Sequence, residues 1–139
     1  MEPLRMVGPP ARTSVLLTWS VESDTDLGRI REGIRQHFAA ASEDRTAEHL
    51  GLVATELAGN ALRHGLPPVV VRLLSDDDCY VVDVSDRAVQ EPPIAAQARP
   101  GLHAGGRGLA ICLALAERVG WHTTGSAKHV WAAFPRARP

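Results

Sequence analysis

Three groups of residues in this chain have the types and the spacing to do chemistry. Glu56 and Asn60 stand four apart in a stretch where Leu50, Val53, Leu57 and Ala61 recur at helical steps. At about 100° per residue, the two polar side chains fall together about 80° to one side of that apolar stripe, on the border of the buried face. A helix packed on a sheet would aim a carboxylate and an amide placed there into the seam at its edge, where both could meet one small ligand. An ordinary solvated flank is the plainer reading, and it suits Glu56 taken alone.

Asp86 is the second. Tyr80, Val82 and Val84 share its parity on a predicted strand, so an acid closes a row of apolar residues. A carboxylate buried there needs hydrogen-bond donors, because an unpaired charge in the interior costs several kcal/mol or is neutralised. The alternative, equally weighted on sequence alone, is that the strand frays first and Asp86 sits in water. The third is the run Gly105-Gly106-Arg107-Gly108 before a predicted helix, where glycines let backbone N–H groups approach an anion at the positive helix end. No Gly-Lys-Ser/Thr follows it and no strand precedes it, so it is neither a Walker loop nor a Rossmann loop. Taken alone it reads as a flexible turn.

These residues must be carried by a fold, and the periodicities give one. Val15, Leu17 and Trp19 alternate with polar neighbours as in a half-buried strand, with Leu16 off pattern. Asp24 is placed to cap a helix bearing Leu27, Ile30, Ile34 and Phe38, which ends near Ala41. A second helix, the one with Glu56 and Asn60, begins at Ser42 or Asp44 and stops at Gly65 and the Pro67-Pro68 pair. Strands are expected over residues 69–74 and 79–86 around the acidic turn Ser75 to Asp78, then over 121–124 and 128–134 around Gly125-Ser126. Residues 87–104 read as a long loop. A third helix carries Leu109, Cys112, Leu113 and Ala116, and Gly120 closes it. The expected fold is an α+β two-layer sandwich: a mixed, largely antiparallel sheet covered on one face by three helices. Residues 1–12 form a loose lead-in, 13–134 a single domain and 135–139 a short basic tail.

At 139 residues such a domain buries enough surface for a core without staples. A net charge of −1 supplies no basic field for nucleic acid, so direct nucleic-acid binding is not expected. Neither a membrane-length apolar run nor a signal peptide is apparent, which places the protein in the cytoplasm and off the membrane. Cys79 and Cys112 have no C-x-x-C spacing and read as buried free thiols. The six histidines show no ligand spacing with a cysteine or acid cluster, so none is expected to bind zinc, although His103 could approach a phosphate. The Asp76-Asp77-Asp78 run lacks the rest of a calcium loop, and no Gly-x-Ser-x-Gly elbow supports a hydrolase.

In this order and spacing, the three groups resemble the GHKL ATPases, or Bergerat fold, and among them the short bacterial serine kinases that act as anti-sigma factors. Glu56-Leu57-Ala58-Gly59-Asn60 fits the family's E-x-x-x-N box, and Gly106-Arg107-Gly108-Leu109 fits its later glycine box. Residues 128–132 are similar to the family's closing string. The resemblance implies ATP and Mg²⁺ as ligands. Asn60 would hold the metal, which needs few protein ligands. Glu56 would be the general base, Asp86 would accept the adenine amino group, and Gly106, Arg107, Gly108 and Leu109 would lie at the phosphates. Arg107 is read equally as a γ-phosphate contact or as solvent-facing.

Two departures stand out: Asp86-Arg87-Ala88-Val89-Gln90 replaces D-x-G-x-G, and Ala127 and His129 stand where glycine and a hydroxyl residue are usual. The resemblance therefore leaves two functions open. One is an ATP-dependent serine kinase acting on an anti-sigma-antagonist-like protein, with a sigma factor as a further partner. The other is a non-catalytic nucleotide- or partner-binding module of the same fold. A sensor histidine kinase is set aside, since the chain leaves no room for its phosphorylated helical hairpin. A homodimer stays open.

Overall fold

The computed structural model describes residues 5–93, 110 and 114–136. Among these residues the named elements are five strands and two helices, in the order β1 (Ser14–Val21), α1 (Thr25–His37), α2 (Asp44–His64), β2 (Val69–Ser75), β3 (Cys79–Asp86), β4 (Arg118–Thr124) and β5 (Ala127–Pro135). The strands form one sheet in the order β1-β2-β3-β5-β4.

The sheet corrects the expected mixture, because every pairing of these strands is antiparallel. Its one parallel feature among the described residues is an isolated bridge, Met6 to Trp121. That bridge lies inside the stretch read as a loose lead-in. Trp121 N–H donates to Arg5 O, Val7 N–H to Trp121 O and the Trp131 indole N–H to Val7 O, so Arg5 to Val7 lie paired along β4. Of the expected third helix, Ala110, Ala114 and Leu115 are helical; Ala116 and Glu117 are not, and Arg118 and Val119 already belong to β4, while Gly105 to Leu109 and residues 111–113 lie outside the described residues.

Leu16 breaks the alternation of β1 for a physical reason. The register slips between Val15, opposite Leu74, and Leu17, opposite Leu73, so Leu16 is the extra residue of a bulge. Both Leu16 and Leu17 then reach the core. Asp24 occupies the cap position of α1 without a side-chain hydrogen bond; Asp26 instead accepts from the backbone of Glu22 and Ser23. Gly120 is no helix stop but a residue within β4. A Cβ there would lie 2.5 Å from Val7 Cγ1 and 3.0 Å from the Trp131 ring, so glycine permits the close approach of the N-terminal segment.

The helices lie on one face. Ile30, Ile34 and Phe38 of α1 and Leu50, Val53, Leu57 and Ala58 of α2 pack against Val71, Leu73, Tyr80, Val82, Val84, Val130, Ala132 and Phe134 of the sheet. The outer face carries a smaller cluster of Leu74, Cys79, Val81, Trp131 and Ala133. Burial, followed by the neighbouring Asp76, pushes the Cys79 thiol up to about 11, so it is an inert packing residue. No helix among the described residues is long and apolar enough to cross a membrane.

The β2–β3 turn is tied by Asp76, whose Oδ1 accepts from the backbone N–H of Asp78 at 2.8 Å and Cys79 at 2.7 Å. The bond from Asp78, followed by the one from Cys79, holds its carboxyl below its ordinary value of 3.8. A depressed carboxyl pKa stabilises the fold above the unfolded value, and the contribution fades as pH falls through the folded value. Asp76→Ala is therefore expected to lower stability at neutral pH, with the gap closing below pH about 3.8 as the carboxylate is protonated. Urea unfolding of both proteins across that range checks this; a gap independent of pH would refute it.

Candidate functional site

The C-terminal half of α2 crosses the end of β3, and the fold opens a cleft there. Leu57, Asn60, Ala61 and His64 of α2 form one wall, and Val84, Asp86, Lys128 and Val130 of the sheet form the floor. Glu91, Pro92 and Pro93 close one side. Asn60 is on a buried stretch of helix: Ala58 packs in the core, and a Cβ at Gly59 would meet the Arg63 guanidinium at 3.1 Å.

Asp86 does not fray into water. It is 5% exposed and paired in register with Lys128 of β5. Its Oδ1 accepts the Ala88 N–H at 2.7 Å and lies 3.7 Å from the buried Lys128 ammonium. Lys128 Nζ also donates to Glu91 O at 3.2 Å. The Arg87 N–H meanwhile donates to Leu66 O, which fixes the chain leaving β3 against the end of α2. Among the described residues Oδ2 of Asp86 has no hydrogen-bond partner. A buried carboxyl with one oxygen held and the other unpartnered among the described residues keeps hydrogen-bond acceptor capacity beside the cleft.

Gly65 makes that arrangement possible. A Cβ at this position would lie 2.5 Å from both Cγ and Oδ2 of Asp86 and 2.8 Å from Ala61 O. Its φ of −97° is open to any residue, so space rather than backbone conformation requires glycine.

Asn60, 6% exposed, has its Oδ1 held by Arg63 Nη2 at 2.8 Å, while its Nδ2 is buried with no partner among the described residues. An orphaned buried amide is rare enough to need an explanation, and a polar ligand in the cleft is one. The amide oxygen has a second lone pair, enough for a cation that takes a single protein oxygen and keeps its waters. These groups fit Mg²⁺ with a nucleotide.

The structure thus brings Asn60 and Asp86 together in one cleft. Glu56 lies one turn before Asn60, half-buried, and outside the described wall of the cleft. Gly106, Arg107, Gly108 and Leu109 lie outside the described residues. Lys128, Gly65, His64 and Ala88 were missed as site residues. Lys128 alone left a signal, since it shares the parity of Val130, Ala132 and Phe134. His129, on the opposite parity, points to the outer face and is no part of the base pocket.

Residues 21–134 match the family of histidine kinase-like ATPase domains, and the chain belongs to that family. It covers all of the described fold except the N-terminal pairing and most of β1. The match supports a GHKL-type ATPase and an ATP-binding regulatory role. No curated protein matches the chain.

Proposed function

We propose that the chain is an ATP-binding regulator that works as a serine kinase of the anti-sigma type, phosphorylating an antagonist-like partner protein. The observation that carries the reading is the meeting in one cleft of the buried Asp86 carboxyl and of Asn60, whose amide nitrogen is unpartnered among the described residues.

In this reading Asp86 Oδ2 accepts the adenine amino group, and Lys128 and the Ala88 N–H fix the position of the carboxyl. Asn60 Oδ1 holds Mg²⁺, which when bound neutralises charge on the phosphates. By the resemblance, Gly106, Arg107, Gly108 and Leu109 would lie at those phosphates. Glu56, about 6 Å along the helix from Asn60, takes the proton from the partner's serine hydroxyl as its oxygen bonds to the γ-phosphorus and the bond to the leaving ADP oxygen breaks. Arg63 restrains the Asn60 amide before the metal arrives.

Purified protein with labelled Mg-ATP and small antagonist-like proteins encoded nearby is the test. Transfer to a partner serine is expected, with Glu56→Ala lowering its rate by about 10²–10⁴-fold while leaving Mg-ATP affinity unchanged. No transfer to any partner would defeat the kinase reading. The position of Glu56 outside the described cleft wall favours a second reading, a nucleotide-binding module without catalysis. That reading expects wild type and Glu56→Ala to bind Mg-ATP alike and neither to transfer phosphate.

A further inference from the structure

On the sheet face away from the helices, three adjacent strands bring together side chains far apart in sequence. Asp83 lies on β3, His129 on β5 and His122 on β4, directly opposite His129 in the register. One potential ligand atom from each lies within 4.8 Å of the others. Asp83 is 2% and His129 7% exposed, and His122 is half-buried.

The hydrogen bonds assign a role to each nitrogen. His129 Nδ1 faces both carboxylate oxygens of Asp83, at 3.1 and 3.0 Å, so it carries the proton and leaves the lone pair on Nε2. Arg72 Nη2 braces Asp83 from its other side at 3.1 Å. The Thr124 hydroxyl now meets His129 Nε2 at 2.7 Å. The two imidazoles are stacked, with centroids 4.8 Å apart and 12° between planes. His122 Nε2 is buried and has no hydrogen-bond partner among the described residues.

A carboxylate behind one imidazole, a second imidazole beside it and an unsatisfied ring nitrogen form the donor set of a histidine metal site, with the carboxylate orienting its ligand. We propose that His122 and His129 bind a zinc ion through their Nε2 atoms on this face, with Asp83 as the positioning residue. Imidazole pairs select Zn²⁺, Cu²⁺ or Ni²⁺ over Mg²⁺ and Ca²⁺, which need oxygen donors. Tetrahedral bonds of about 2.0–2.1 Å put two nitrogens about 3.4 Å apart, inside the 4.8 Å that bounds the separation of the ligand atoms here. On binding, Thr124 would yield its place on His129 Nε2 to the ion. Water completes the coordination. Sequence spacing gives no sign of this cluster because the strands converge only through the register.

The test is calorimetric titration of the metal-stripped full chain with ZnCl₂, alongside NMR of the imidazole nitrogens. One saturable equivalent is expected, with the His122 and His129 Nε2 signals shifting and those of His37 and His49 unmoved. His122→Ala should weaken binding at least tenfold in a chain that stays folded by circular dichroism, and His49→Ala should not. Asp83→Asn should weaken it by about 10–100-fold and displace the His129 signal, with Asp83→Glu recovering part of both. No saturable binding would overturn the proposal. So would wild-type binding that leaves both ring signals unmoved, a result that needs no variant to fold.

Discussion

Gly65→Ala is expected to destabilise the fold by about 1–3 kcal/mol and to weaken nucleotide binding by at least tenfold. The added methyl would stand 2.5 Å from the Asp86 carboxyl carbon and 2.8 Å from Ala61 O. The second neighbour is helix backbone and cannot step aside, so the Asp86 side chain must move, and with it the bonds from Ala88 and Lys128. Gly28→Ala is the internal control. It lies within α1 with nothing near its Cβ position, so the substitution should stabilise by about 0.5–1 kcal/mol through helix propensity and leave the cleft untouched. Urea unfolding and nucleotide titration of the two variants separate a general intolerance of glycine replacement from a steric effect confined to the cleft. Equal behaviour of the two would count against the role given to Gly65.

A larger loss of stability is expected from Asp86→Ala. Lys128 and Asp86 have side chains only 4% and 6% exposed, and their charged atoms are 3.7 Å apart. Removing one member of a buried pair leaves the other charge uncompensated, at a cost of about 3–5 kcal/mol. Against a total stability of about 5–15 kcal/mol for a domain, that leaves a marginal fold. Replacing both, as Asp86→Ala with Lys128→Met, should recover most of the loss, because a buried pair exchanged for apolar groups is often neutral. The double variant should still fail to bind adenine nucleotides. Denaturant midpoints for the single and double variants give the comparison, and a double variant no more stable than Asp86→Ala would show that the two groups are not coupled.

The parts of the structure legible in the sequence are those set by local pattern. The apolar stripe of α2 located Asn60 beside the buried face, and the parity of Tyr80, Val82 and Val84 carried Asp86 to the helix side of the sheet. Both hold because helical and strand periods fix a side chain's face regardless of what packs there. What the sequence left hidden depends on register between distant strands. Lys128 meets Asp86 only because β5 lies beside β3, and His122 meets His129 only through the β4–β5 hairpin. Gly120 misled for a related reason: a glycine after a helical pattern reads as a stop, whereas this one makes room for Val7 arriving from the other end of the chain. The slip at Leu16 shows the limit of alternation itself, since one bulged residue changes which side chains reach the core.

The central claim is that the cleft between α2 and the end of β3 binds Mg-ATP through Asn60 and Asp86. Calorimetric titration of the full chain with ATP, with and without Mg²⁺, tests it most directly. One-site binding that strengthens with Mg²⁺ is expected, with Asn60→Ala removing most of the metal's contribution and Asp86→Asn weakening binding with or without the metal. Absence of binding at millimolar nucleotide, or binding that both substitutions leave unchanged, would contradict the account.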